Sequence, residues 1–448
     1  IGYTLHFPDW LTVFLAQGIG GGINTVLPLV PQIGMMYLFL SFLEDSGYMA
    51  RAAFVMDRLM QALGLPGKSF VPLIVGFGCN VPSVMGARTL DAPRERLMTI
   101  MMAPFMSCGA RLAIFAVFAA AFFGQNGALA VFSLYVLGIV MAIATGLMLK
   151  HTIMRGEASP FVMELPVYHV PHVKSLIIQT WQRLKGFVLR AGKVIVIVSI
   201  FLSALNSFSL SGKIVDNIND SALASVSRVI TPVFRPIGVH EDNWQATVGL
   251  FTGAMAKEVV VGTLNTLYTA EDIQNEEFNP QTFSLGDELL AAVDETWQSL
   301  KDTFSLSVLA NPIEASKGDG EMETGAMGVM GSKFGSAAAA YSYLIFVLLY
   351  IPCISVMGAI ARESSRGWMM FSVLWGLNIA YSLSTLYYQT VSFSQHPRYS
   401  LVCILAVVLF NIVVFGLLRR ARSRVDVSLL ATRKTPSSCC QSPAGDCH

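Results

Sequence analysis

Nine stretches of the chain, near residues 22–43, 69–87, 97–123, 127–149, 194–210, 244–268, 336–359, 367–392 and 399–418, are apolar enough and long enough to enter or cross a bilayer, whose hydrocarbon core is about 30 Å thick. Nothing else in the sequence constrains the fold as strongly. A chain in hydrocarbon must satisfy its backbone N–H and C=O groups internally, which leaves helices or closed barrels. Runs of this length fit helices, so the sequence predicts an all-α polytopic membrane protein with about 8–10 membrane segments. Composition agrees: 54% of residues are hydrophobic and 13% charged, with a mean hydropathy of +0.57, whereas soluble domains carry about 25% charged residues. A formal net charge of +1, with no basic patch interleaved with aromatics, argues against nucleic-acid binding. The opening "IGYTLHFPDW" lacks the basic n-region of a signal peptide and reads as the tail of an earlier apolar segment. The expectation is the carboxy-terminal part of something longer.

Two sequence markers recur in the same order. Gly47-Tyr48-Met49-Ala50-Arg51 returns as Gly253-Ala254-Met255-Ala256-Lys257, and the stretch Val81–Arg88 returns, with small insertions, as Ile351–Arg362. Duplicated halves with Gly/Pro-broken spans in matching places are an architecture of secondary transporters, which bind cargo at mid-membrane between the halves. The division that follows is a first half over 1–150, a basic connector over 151–193 with an interfacial helix near 174–189, a second half over 194–418, and a tail over 419–448 that is basic and then Cys-rich. An acidic insertion over 271–324, with thirteen acidic residues against Lys301 and Lys317, interrupts the second half. Its plainest role is solubility. Lys and Arg crowd both the connector and residues 419–424, so both should face the cytoplasm. Five apolar runs lie between them, and an odd number of crossings would separate them. One run should therefore enter and return; the candidates are 244–268 and the broken run around Pro352.

The stretch "GFGCNVP" (76–82) weakens its own helix with two glycines and Pro82, and places Cys79 and Asn80 at the weak point. Broken backbone is tolerated at membrane depth only against protein or a water-lined cavity. The sequence thus predicts a polar cavity lined by Cys79 and Asn80, by Ser107 and Cys108 from "APFMSCGAR", and by Cys353 beside Pro352. Lys257 and Glu258 sit in the middle of an apolar run, where a charge costs roughly 2.5–3.5 kcal/mol on insertion scales. They read either as a structural ion pair or as a pathway lysine beside an oxygen ligand. Glu44 and Asp45 end a span and read as interfacial. Thiolate, carboxamide and carboxylate together suit a borderline divalent transition metal better than Mg²⁺ or Ca²⁺, which take oxygen shells. Seven cysteines, four of them at membrane depth, do not form a disulfide framework.

Three other patterns carry weaker readings. "ALGLPGKSF" (62–70) lacks the first glycine of a phosphate-binding loop and reads as an interfacial turn with Lys68 at the headgroups. Cys439, Cys440, Cys447 and His448 offer tail ligands for a soft metal, or are incidental in a disordered end. His169 and His172 lie in a proline-stiffened linker.

Taken together, "GFGCNVPSVMGARTLDAPRER", "MSCGARLAIF", "MAKEVVVGTLNTLY" and "IPCISVMGAIARE" resemble FeoB, the bacterial ferrous iron transport family, over essentially the whole chain. The resemblance implies two Gate-type helical regions, multi-pass insertion in the bacterial inner membrane, and Fe²⁺ uptake in which Cys79, Cys108 and Cys353 help pass the metal. It also implies an amino-terminal G domain that binds GTP and Mg²⁺ outside these residues, so this part is expected to be no enzyme and to need no cofactor of its own. The partners it implies are FeoA, in some bacteria FeoC, and further copies of the chain. The alternatives are a carrier of a nucleoside or organic anion, and a membrane receptor that senses iron without moving it.

Overall fold

A computed structural model describes residues 29–154, 170–193, 221–255, 259–272 and 324–421, with isolated positions between them that include 168 and 257. Every secondary-structure element among these residues is helical. The first half comprises α1 (Leu29–Asp45), α2 (Tyr48–Leu63), α3 (Phe70–Gly78), α4 (Asn80–Gly86), α5 (Pro93–Met102), α6 (Gly109–Phe122) and α7 (Gly127–Thr152). A connector helix, α8 (Val173–Phe187), follows. The second half comprises α9 (Ala222–Ile230), α10 (Trp244–Met255), α11 (Val259–Asp272), α12 (Thr324–Phe334), α13 (Ala337–Leu349), α14 (Ile354–Glu363), α15 (Arg366–Val391) and α16 (Pro397–Ala421). Five stretches of the described residues are long and apolar enough to cross a membrane, or six if the bent pair α2 and α3 is counted as one.

The run at 69–87 turns back on itself. α4 folds back along α3, with the Ser83 hydroxyl donating to the Pro72 carbonyl at 2.7 Å and Gly86 resting on the Pro72 ring. This is a helical hairpin with Cys79 at its tip, in extended backbone (φ −154°, ψ 131°). The run at 244–268 does the same: Gly249 of α10 faces Leu264 of α11, Gly253 faces Val260, and the Tyr268 hydroxyl donates to Asn243 Oδ1 at 2.8 Å. Between the two legs, Lys257 is in a turn. The sequence reading of 244–268 as a run that turns back matches this hairpin. The run around Pro352 differs from its expectation, because α13 and α14 together form one membrane-length stretch, Ala337–Glu363. The sequence markers also pair positions that are not equivalent in space. Gly47 is a left-handed turn (φ 81°) between α1 and α2, whereas Gly253 lies inside a hairpin leg. In the structure, the tip at Cys79 corresponds to the tip at Lys257, and the α5–α6 break corresponds to the α13–α14 break.

Each half is therefore a hairpin, a broken span and a long straight helix, and the halves are inverted. α5 starts beside the end of α7, where Arg94 Nε donates to the Met154 carbonyl at 3.0 Å. α6 ends where the second half begins its span, with Phe118 stacked on Tyr343 at 5.4 Å and Phe122 edge-on to Phe334 at 5.7 Å. α13 starts at that second face, alongside α10, where the Tyr343 hydroxyl donates to the Ala246 carbonyl at 3.0 Å. α14 then ends at the first face, where Glu363 pairs with Arg88 at the base of the first hairpin. The straight helices α7 and α15, each 26 residues long, also run oppositely, since Gln389 near the end of α15 donates to the Pro236 carbonyl at 2.8 Å.

Between helices in lipid no hydrophobic force operates, so close backbone approach and hydrogen bonds carry the packing. Gly138 of α7 lies so near the Phe105 carbonyl that a Cβ would stand 2.9 Å from it, and Gly376 of α15 lies likewise against the Leu349 carbonyl, at 3.2 Å. Both glycines let a straight helix cover the carbonyls freed by a broken one. α16 is mostly exposed, with Ser400 and Val407 buried, and joins α15 through Asn411, which donates to Ser382 at 2.8 Å.

The "LPGKSF" turn holds a short helical turn, Gly67–Ser69. The Asp57 carboxylate accepts the Gly67 amide at 2.8 Å, which places an anion where a phosphate cradle would need none. Lys68 pairs with Asp91 at 3.5 Å, consistent with an interfacial turn. α8 packs on α1, and Arg183 pairs with Glu44 at 2.9 Å, which accounts for the charge at the end of that span.

Candidate functional site

Four helix interruptions meet inside the bundle. The first hairpin tip touches the α5–α6 break: Asn80 Nδ2 donates to the Met106 carbonyl at 3.3 Å, and Gly76 faces the Met106 side chain. The second tip touches the α13–α14 break. Lys257 Nζ lies 4.9 Å from the centre of the Tyr350 ring, and Gly253 is so close to the Tyr350 hydroxyl that a Cβ would collide with it. The two pairs are joined in turn, because α14 packs on α4 and the 103–105 turn packs on α13, while Arg111 Nη1 donates to the Met106 carbonyl at 3.0 Å.

The residues singled out from the sequence fall on these interruptions. Cys79, Cys108 and Cys353 are each the residue that precedes a helix, α4, α6 and α14 respectively. A residue in that position leaves helical geometry beside the first-turn amides that have no partner within their own helix. All three thiols are partly exposed. Asn80 is 5% exposed, Ser107 1% and Lys257 3%. Pro82 is buried in the first turn of α4, where its missing N–H forfeits no helical hydrogen bond. Pro352 is buried at the break before α14, where its ring opposes continuation of α13. Ser107 and Cys108 lie beside the Tyr135 side chain of α7, which stacks on Phe77 of the first hairpin with centroids 6.3 Å apart. Tyr37 of α1 is also within electrostatic reach of Cys79.

Among the described residues, no three His, Cys, Asp or Glu side chains converge on one point as a metal-holding group. The three thiols stand at separate helix interruptions rather than as one chelate. Glu258, His169, and the tail residues Cys439, Cys440, Cys447 and His448 lie outside the described residues. His172 is the residue that precedes α8.

Two residues at the crossing escaped the sequence reading. Tyr350, 3% exposed, forms the surface that Lys257 covers; a tyrosine at the end of an apolar run carries no signal of this in sequence. Arg111 is fully buried and donates to the Pro104 and Met106 carbonyls, each at 3.0 Å. Its signal was available: a guanidinium at the centre of an apolar run requires partners that only broken backbone or an anion supplies.

Comparison with known proteins agrees with this architecture. A family described as Gate, nucleoside recognition, matches residues 26–122 and 188–366, and one described as ferrous iron transport protein B C terminus matches residues 131–183. Each Gate stretch contains one hairpin and one broken span. The chain is 91% identical over its full length to the Fe(2+) transporter FeoB of Salmonella typhimurium and to that of Escherichia coli K12, and 90% identical to that of Shigella flexneri. It spans 58% of the length of each of these relatives. No solved structure matches. The chain thus belongs to the FeoB family and corresponds to its carboxy-terminal membrane part.

Proposed function

We propose that this chain forms the membrane pathway by which Fe²⁺ enters the cell across the inner membrane. The observation that carries this reading is the meeting of two oppositely directed hairpin tips with two broken spans, lined by three separate thiols, a carboxamide and freed carbonyls. Such a donor set suits a borderline divalent ion. Donors spread along the crossing also suit transport, because a site must bind strongly enough to admit an ion and weakly enough to release it. The affinity order for divalent metals runs against Fe²⁺ relative to Cu²⁺ and Zn²⁺, so selection rests on geometry, availability or rate. The names of the relatives favour iron transport over a nucleoside or organic-anion carrier and over an iron-sensing receptor.

Orientation follows from charge. Lys68, Arg88, Arg94, Lys150, Arg362, Arg419 and Arg420 gather at one face, which we assign to the cytoplasm. The residues flanking the acidic insertion, Asp272 and Thr324, then lie toward the periplasm. Metal passes Cys79, Cys108 and Cys353 in the crossing, with Glu258 as an oxygen donor beside Lys257. By family resemblance, GTP binding and hydrolysis belong to an amino-terminal domain of the full protein, and FeoA, FeoC and further copies of the chain are its partners. The division into residues 1–150, 151–193, 194–418 and 419–448 remains our proposal for its units.

Ferrous uptake by the full-length protein carrying both Cys79→Ser and Cys353→Ser tests this directly. The expected result is a fall of at least about tenfold, the equivalent of about 1.4 kcal/mol at the barrier. Uptake at the parent rate at normal membrane levels would overturn the thiol pathway.

A further inference from the structure

We infer that Arg111 is a positioning residue that holds the first hairpin tip and the α5–α6 break in register, so that the partly exposed thiols Cys79 and Cys108 line one passage. This deepens the iron-pathway reading and rests on it.

Arg111 lies on α6, three positions after Cys108, with no exposed surface. Among the described residues it has no carboxylate partner, and the one of its three nitrogens that is hydrogen-bonded is met by carbonyl oxygens. One nitrogen, Nη1, donates to the Pro104 carbonyl and to the Met106 carbonyl, each at 3.0 Å. Those two oxygens belong to the segment that left helical geometry between α5 and α6, so the guanidinium supplies donors that the break took away. The Met106 carbonyl accepts from a second side chain as well, Asn80 Nδ2 at 3.3 Å, and Asn80 follows Cys79 at the hairpin tip. One carbonyl therefore ties a thiol-bearing tip to a thiol-bearing break, and Arg111 fixes that carbonyl. The turn that it braces also packs on α13, whose end leads through Tyr350 to Cys353. The guanidinium thus supports the junction of the two halves without being a metal donor itself. Because both bonds come from one nitrogen, a lysine could also reach both carbonyls, but its strongly hydrated ammonium is costlier to bury than a guanidinium.

The test uses the full-length protein in membranes with three variants, Arg111→Met, Arg111→Lys and Asn80→Ala, and two readouts. The first is the rate at which a small membrane-permeant thiol reagent modifies Cys79 and Cys108, with Cys403 on the lipid-facing α16 as internal control. The second is ferrous uptake, resolved into half-saturating concentration and maximal rate. Losing the charged donor should raise modification of Cys79 and Cys108 by at least about tenfold in Arg111→Met, as expected for one charge-assisted bond lost. Arg111→Lys should recover part of the effect, Asn80→Ala should raise Cys79 alone, and Cys403 should not change. Maximal uptake should fall in the same order, with the half-saturating concentration changing less. Parent modification rates in Arg111→Met would overturn the inference. If that variant fails to reach the membrane, parent rates in Arg111→Lys and Asn80→Ala would overturn it equally. Altered thiol rates with undiminished uptake would leave the clamp standing and sink the iron pathway instead.

Discussion

The two halves solve one problem with different chemistry. Each must stabilise a broken span where a hairpin tip meets it, and each lays a 26-residue straight helix across the break with a glycine at the contact, Gly138 in α7 and Gly376 in α15. Around the first break the support is polar: Arg111 and Asn80 share the Met106 carbonyl. Around the second it is aromatic, with the Tyr350 ring under the Lys257 ammonium. Hydrogen bonds to charged groups are directional and tolerate little displacement, whereas a cation over a ring keeps much of its attraction as it slides. The difference assigns register to the first half and compliance to the second.

The sharpest way to break this comparison is to fill the glycine contacts. Gly376→Leu and Gly138→Leu should each abolish uptake and lower stability by about 3 kcal/mol or more, because the opposing atoms are backbone carbonyls that cannot swing aside. Thermal melting in detergent would show it, and an unchanged midpoint for either would remove that half from the scheme. Next in size are changes at Tyr350. Tyr350→Leu, which removes the ring, should cost about 2–4 kcal/mol through lost packing and cation–π attraction. Tyr350→Phe keeps the ring and should cost less than about 1.5 kcal/mol; a Phe variant as damaging as Leu would mean that the hydroxyl, not the ring, is the support. Asn80→Ala should cost about 1–2 kcal/mol, since it removes one of two donors to the Met106 carbonyl. The smallest effect belongs to the pair that joins the halves at the basic face. Arg88→Gln should change stability by about 1 kcal/mol, because Arg88 is largely exposed, at 57%, and the glutamine amide can still donate to Glu363, whose side chain is only 6% exposed. A high-salt melt that converges for parent and variant would show that the charge on Arg88 acts through solvent.

Hydropathy made the helical character and the number of apolar runs legible in sequence, and Gly/Pro interruption made the breaks at Cys79, Cys108 and Cys353 legible. Neither distinguishes a span from a hairpin. Residues 69–87 and 336–359 have similar composition, and only contacts such as Ser83 to Pro72 show that one turns back, while the other continues to Glu363. Charge parity along the chain narrowed one such turn to two candidates, of which 244–268 turns back and the run around Pro352 does not, because two basic segments had to share a face. The marker beginning at Gly47 misled because a glycine followed by small residues and a cation suits both a tight interhelical turn and a hairpin leg. Arg111 was overlooked within its own motif. Its importance comes from carbonyls at Pro104 and Met106, whose release from helix depends on backbone geometry that residue type does not specify.

The most direct measurement is protection of thiols by the cargo. In membranes containing the full-length protein under reducing, anaerobic conditions, Fe²⁺ should slow modification of Cys79 and Cys353 together, from opposite halves, while leaving Cys403 on α16 unaffected. Mg²⁺ at the same concentration should protect neither. Modification of Cys79 and Cys353 at the same rates with and without Fe²⁺ would contradict a shared iron passage at the meeting point of the two hairpins.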